Sequence, residues 1–111
     1  MNAHLTTVMA WLCLAILSLP ASAQDAEFTV VIKNHRFEPA EISVPAGKKF
    51  KLTIDNQDPT PEEFESKRLR VEKVVPGNSK GTVNLGPLKA GSYPFVGEYH
   101  ESSAKGVLHA K

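Results

Sequence analysis

The chain has 111 residues, enough for one small domain, and carries 13 Lys or Arg against 12 Asp or Glu. The net charge of +1 comes with no long single-sign run and no aromatic–arginine array, so nucleic acid is excluded as the expected partner. Cys13 is the only cysteine, which excludes an internal disulfide.

The first 23 residues read as a leader. Val8 to Leu19 is an apolar run followed by Pro20-Ala21-Ser22-Ala23, and Ala21-Ser22-Ala23 has the small-x-small form of a signal-peptidase site. The run falls short of the roughly 20 apolar residues that a spanning helix needs. Ala10-Trp11-Leu12 before Cys13 is not a lipobox, so a lipid anchor is not expected. The sequence therefore predicts a signal peptide over 1–23, a mature domain over 24–111, and a periplasmic protein that is peripheral to the membrane at most. An uncleaved anchor is the alternative. Every charged residue follows residue 23.

From residue 27 the pattern has period two. Phe28, Val30 and Ile32 form one apolar series, and Phe50, Leu52 and Ile54 alternate with Lys51, Thr53 and Asp55. Such alternation predicts strands with one buried and one wet face. Leu69 with Val71, Val83 with Leu85, and Tyr93 with Phe95 give shorter pairs, and Leu108 with Ala110 closes a last strand with His109 outward. Pro45-Ala46-Gly47, Pro76-Gly77-Asn78, Gly86-Pro87 and Ala90-Gly91 supply the turns. This is the pattern of an all-β sandwich or barrel. Gln57 to Ser66 is expected to be a long loop.

Three constellations hold metal-ligating side chains. In Glu62-Glu63-Phe64-Glu65, an extended backbone puts Glu63 and Glu65 on one face and Glu62 with Phe64 on the other. Carboxylates so close repel each other unless a cation or basic partner is present. The bland alternative is a solvated acidic loop anchored by Phe64. Glu98-Tyr99-His100-Glu101 offers two carboxylates and an imidazole, a set suited to a first-row metal. Asn34-His35-Arg36-Phe37-Glu38-Pro39 adds His35, or simply a wet turn beside a core Phe37. Lys67-Arg68-Leu69-Arg70 is a local basic patch that reads as a solvated face. There is no nucleophile elbow and no phosphate-binding glycine loop.

The ordered set Phe37-x-Pro39, Ile42-x-Val44, Gly47, Asn56, Pro76-Gly77, Gly91-x-Tyr93-x-Phe95, His100 and Gly106-x-Leu108 resembles the cupredoxins. That resemblance implies a Greek-key β-sandwich. It also implies that the copper-ligand positions fall near Glu62 or Glu63, at Gly97 in place of the cysteine, at His100, and near Ala104 in place of the axial methionine. A blue copper site needs the thiolate, so none is expected. The chain more closely resembles the cupredoxin-like components of bacterial ferrous-iron uptake, FtrB-type periplasmic proteins and the N-terminal domain of EfeO-type proteins, than the blue copper proteins. Asn34 to Pro39, Thr60 to Ser66, Gly86 to Gly91 and Gly97 to Glu101 carry that similarity.

The expectation is a copper- or iron-binding protein that works beside an iron permease complex and other periplasmic uptake subunits. Its candidate ligands are His100, Glu63, Glu65, Glu62, Glu98, Glu101 and His35, with the two loops facing each other across one site. A copper-dependent ferrous-iron oxidase and a metal-free partner-binding module are the alternatives.

Overall fold

The computed structural model describes residues 25–111, so the leader expected over 1–23 lies outside the described residues. The period-two segments around Phe28, Phe50, Val83, Tyr93 and Leu108 form strands as expected, Leu69 lies in a turn ahead of Val71, and nine strands are present among the described residues. These are β1 (Ala26–Lys33), β2 (Arg36–Glu38), β3 (Glu41–Val44), β4 (Phe50–Asn56), β5 (Glu62–Ser66), β6 (Val71–Val75), β7 (Ser79–Leu85), β8 (Gly91–Gly97) and β9 (Lys105–Ala110). One sheet has the order β2-β1-β4-β7 and the other β3-β9-β8-β5-β6. The result is an all-β sandwich, one of the two architectures the alternation predicts, and of the Greek-key type that the resemblance implies. A single 3-10 turn, Glu98–His100, interrupts the β8–β9 connection.

The core lies between the sheets. Every second residue of β4 from Phe50 to Asn56 is buried, and β1 runs parallel to it in register from Ala26↔Phe50 to Ile32↔Asn56. Phe37, Phe64 and Phe95 meet at the centre, with Phe37 edge-on to Phe95 at 4.9 Å and Phe64 tilted against Phe95 at 5.0 Å. Each such buried ring contributes about 1.5–3 kcal/mol. Phe95 lies over Gly106 of β9, where a Cβ would meet the ring at 2.3 Å.

The expected long loop is shorter than the sequence suggests. Glu62 to Ser66 is strand β5, leaving only residues 57–61 as loop. Asn56 accounts for this. Buried at the end of β4, its Nδ2 reaches the carbonyls of Thr60, Val75 and Pro76 at 2.9, 3.2 and 3.2 Å, while its Oδ1 accepts from the Asp58 N–H. The loop is thereby tied to the end of β6, and β5 starts in register with that strand, Glu62↔Val75 through Ser66↔Val71.

β5 pairs with β8 only at Phe64↔Gly97 and Glu65↔Val96. Pro94 has no N–H to extend the ladder. Side chains satisfy the β8 carbonyls instead. The Ser66 hydroxyl donates to Pro94 O at 2.7 Å, and the Arg68 guanidinium donates to Ser92 O while lying 4.4 Å from the Tyr93 ring centre.

Candidate metal centre

The alternation of β5 decides where each glutamate goes. Glu62, Phe64 and Ser66 point into the sandwich, while Glu63 and Glu65 face outward. The expected single site, with Glu62 to Glu65 all facing Glu98, His100 and Glu101, is therefore divided between two faces of one strand.

On the inner face Glu62 is buried, and both its oxygens are hydrogen-bonded locally. Oε1 accepts from the N–H groups of Tyr99 and Glu63 at 2.9 and 3.1 Å, and Oε2 accepts from Nδ1 of His100 at 2.5 Å. Burying a carboxylate is tolerable only with such partners. Among the described residues, no buried side-chain nitrogen or oxygen lacks one. The 3-10 turn is thus pinned to β5 by one side chain. The loop is closed from behind by Gly97 N–H donating to Ala104 O at 2.9 Å and Ala104 N–H donating to His100 O at 2.8 Å.

His35 joins this inner group by stacking rather than by converging. Its ring lies parallel to that of His100, 3.5 Å away and inclined by 14°. Imidazole lone pairs lie in the ring plane, so two parallel rings direct them side by side. In this arrangement His35 and His100 do not share one ion. The position of His35 is set by its backbone. Asn34 and His35 both have left-handed φ values, 53° and 55°, which non-glycine residues rarely adopt. Asp58 holds both, accepting from Asn34 N–H at 2.8 Å and His35 N–H at 2.9 Å. The Ser103 hydroxyl donates to His35 O at 2.7 Å from the other side. Burial works to raise the Asp58 carboxyl, but the two N–H donors and the neighbouring His35 and His100 hold it below its ordinary value.

On the outer face Glu63 and Glu65 are joined by Glu72 of β6, the register partner of Glu65. One oxygen of each of these three residues lies within 4.8 Å of the others. Glu98 completes the group. Hydrogen bonding with Glu98 pushes the Glu65 carboxyl up, helped by desolvation and the charges of Glu98 and Glu101. Hydrogen bonding with Glu63 pushes Glu98 up in turn. Like charges held this close favour the protonated form of each carboxyl. Glu101 lies near enough to act on Glu65 by its charge. Glu72 has no signal in the sequence, because only the β5–β6 register brings it to Glu65.

A model of the cupredoxin-like domain family matches residues 5–110. The chain belongs to the cupredoxin-like domain family. An uncharacterized protein of Rickettsia prowazekii (strain Madrid E) is 40% identical over 82 residues, covering 74% of this chain and 66% of the relative. The chain thus spans just under two thirds of that relative's length. Among solved structures, the metal-binding domain of the Cu(I)-exporting P-type ATPase CopA of Streptococcus pneumoniae D39 superposes with a TM-score of 0.69 at 14% identity, over 77% of this chain and 84% of that one. Auracyanin A, a blue copper protein of Chloroflexus aurantiacus, superposes at 0.68 and 13%, over 79% of this chain and 100% of that one. At these identities the two share the fold.

The residues of this cupredoxin-like chain do not fit a blue copper centre. Such a centre needs a cysteine thiolate, and the chain's only cysteine is Cys13, far in sequence from the Gly97 position. The space is also taken: a Cβ on Gly97 would meet Ala104 Cβ and Glu62 Cδ, each at 2.7 Å. The outer carboxylates do fit a cation, because they supply several oxygen donors whose mutual repulsion a positive ion relieves. All-oxygen donors suit hard cations, Mg²⁺, Ca²⁺ and Mn²⁺ among them, and disfavour cuprous copper.

Proposed function

We propose that this cupredoxin-like domain binds iron or cupric copper on the outward carboxylates Glu63, Glu65, Glu72 and Glu98. It serves as the periplasmic metal-handling component of a ferrous-iron uptake system, next to a membrane permease complex. The observation that carries this is the convergence of Glu63, Glu65 and Glu72 with Glu98 beside them, none of which forms an ion pair with a basic side chain among the described residues. In this reading Glu62 and His100 hold the 3-10 turn so that Glu98 stands against Glu63 and Glu65. The uptake role rests on the similarity of Thr60 to Ser66 and Gly97 to Glu101 to ferrous-iron uptake components. It is consistent with a fold neighbour that is the metal-binding domain of a Cu(I)-exporting ATPase.

Calorimetric titration of the protein with Fe²⁺, Fe³⁺ and Cu²⁺ tests the proposal. The expected result is a site tighter than millimolar for at least one ion, lost in Glu63→Gln/Glu65→Gln. With Cu²⁺ a weak ligand-field band appears and intense blue absorption does not. Absence of any such site sinks the proposal.

One observation favours a partner-binding module as the second reading. Val74, the register partner of Glu63, and Tyr99, next to Glu98, are the large hydrophobic side chains most exposed among the described residues, and both adjoin the acidic group. Copurification of a basic partner by a metal-free chain would support it.

A further inference from the structure

We propose that the groove between β5 and β8 binds a small polycarboxylate carrying the cation, so that metal reaches the acidic face as an anionic chelate. This rests on the metal-binding reading above. Beyond Val96 the two strands separate, and a groove of about 480 Å³ opens between them. Pro94 and Val96 give it an apolar floor. Glu65 and Glu101 line it together with Lys67 and Arg68. None of these four charged side chains forms an ion pair among the described residues. Opposite charges thus border one groove without neutralising each other.

The basic side is partly built in advance. Arg68 is fixed by its bond to Ser92 O and by the Tyr93 ring beneath it, and its other N–H groups remain for an anion. Lys67 lines both this groove and the adjoining hollow of about 340 Å³ that Glu65 shares with Glu72 and Arg70. It therefore stands at the junction of the acidic group and the groove.

The chemistry selects the ligand class. A bare cation is attracted by Glu65 and repelled by Lys67, and a free polycarboxylate meets the reverse. A complex that presents metal to Glu65 and carboxylates to Lys67 and Arg68 satisfies both sides. An extended peptide adding as a strand finds no backbone partner here. The β8 carbonyls are already used by Ser66 and Arg68, and Pro94 offers no N–H.

The test titrates the full chain at fixed ionic strength with three probes: citrate alone, Fe²⁺ alone without oxygen, and ferric citrate in excess citrate. Ferric citrate is expected to bind more tightly than citrate alone. Lys67→Gln, an exposed change, is expected to weaken ferric citrate about tenfold, the scale of one lost charge-assisted hydrogen bond. The same change leaves Fe²⁺ unchanged or tighter, because a neighbouring positive charge has gone. That opposite response is the readout. Equal binding of citrate with and without iron, or ferric citrate indifferent to Lys67, overturns the inference while Fe²⁺ binding stands. Loss of Fe²⁺ binding in the native chain as well overturns the metal reading beneath it.

Discussion

The buried Glu62 carboxylate lies 2.5 Å from Nδ1 of His100 and also accepts the Tyr99 N–H. It joins the start of β5 to the turn between β8 and β9 of the same sheet. The tie is a side chain.

Removing that tie should be costly. Glu62→Ala strands the His100 imidazole and two N–H groups and leaves a cavity beside Gly97. Leaving a buried hydrogen-bonding group unsatisfied costs about 1–3 kcal/mol. Denaturant unfolding should show a loss of that size. Glu62→Gln, which keeps an acceptor oxygen, should lose less.

Restoring the missing thiolate should fail in a specific way. Gly97→Cys drives a Cβ into Ala104 and Glu62. Overpacking of this kind costs about 1–3 kcal/mol. The variant should unfold earlier and show no intense blue absorption with Cu²⁺. Glu62→Ala in the Gly97→Cys background should cost less than it does alone, because it clears the space the new Cβ needs. An additive double mutant would show that the two residues do not compete for one volume.

Asp58→Ala should disturb the paired imidazoles without touching them. The N–H groups of Asn34 and His35 lose their acceptor, at about 1–3 kcal/mol for each one left unsatisfied. The ring resonances of His35 and His100 should move as the stack loosens. The Asp58 carboxyl lies below its ordinary value of 3.8 in the fold. Its contribution is therefore present above that value and lost as pH falls through the depressed one.

The outer carboxylates carry the opposite sign. Glu65 and Glu98 are raised above their ordinary value of 4.5, so the native chain holds their protons more tightly than the unfolded chain does. Their contribution is complete below the ordinary value and lost as pH rises through the raised ones. At low salt, this part of the stability should decline as pH rises above the ordinary carboxylate value of 4.5. Glu65→Gln should flatten the decline, and a saturating cation should abolish it. Unfolding curves across that range, with and without metal, check both effects.

Much of the sandwich is legible because burial follows the alternation. Phe50, Leu52 and Ile54 face inward, and the same rule places Glu63 and Glu65 together. The rule gave too little weight to Glu62. A glutamate in a strand reads as wet, since this residue type is almost never fully buried without a partner. The partner is His100, 38 positions away. Glu62 to Ser66 reads as loop for the same reason, three carboxylates in five residues being poor strand material. Glu72 and the His35–His100 stack depend on strand register and on two left-handed residues, neither of which composition or period encodes.

Strand β5 carries two messages on alternate letters. Glu62, Phe64 and Ser66 answer to the interior and are bound by its geometry. Glu63 and Glu65 answer only to the outside. A lineage can therefore rewrite the outward pair, and with it the preference for one ion over another, without asking the core to change. A one-residue slip of the strand would exchange the two sets and ruin both at once. The division that spoils the expectation of a single site is also what leaves this surface free to evolve.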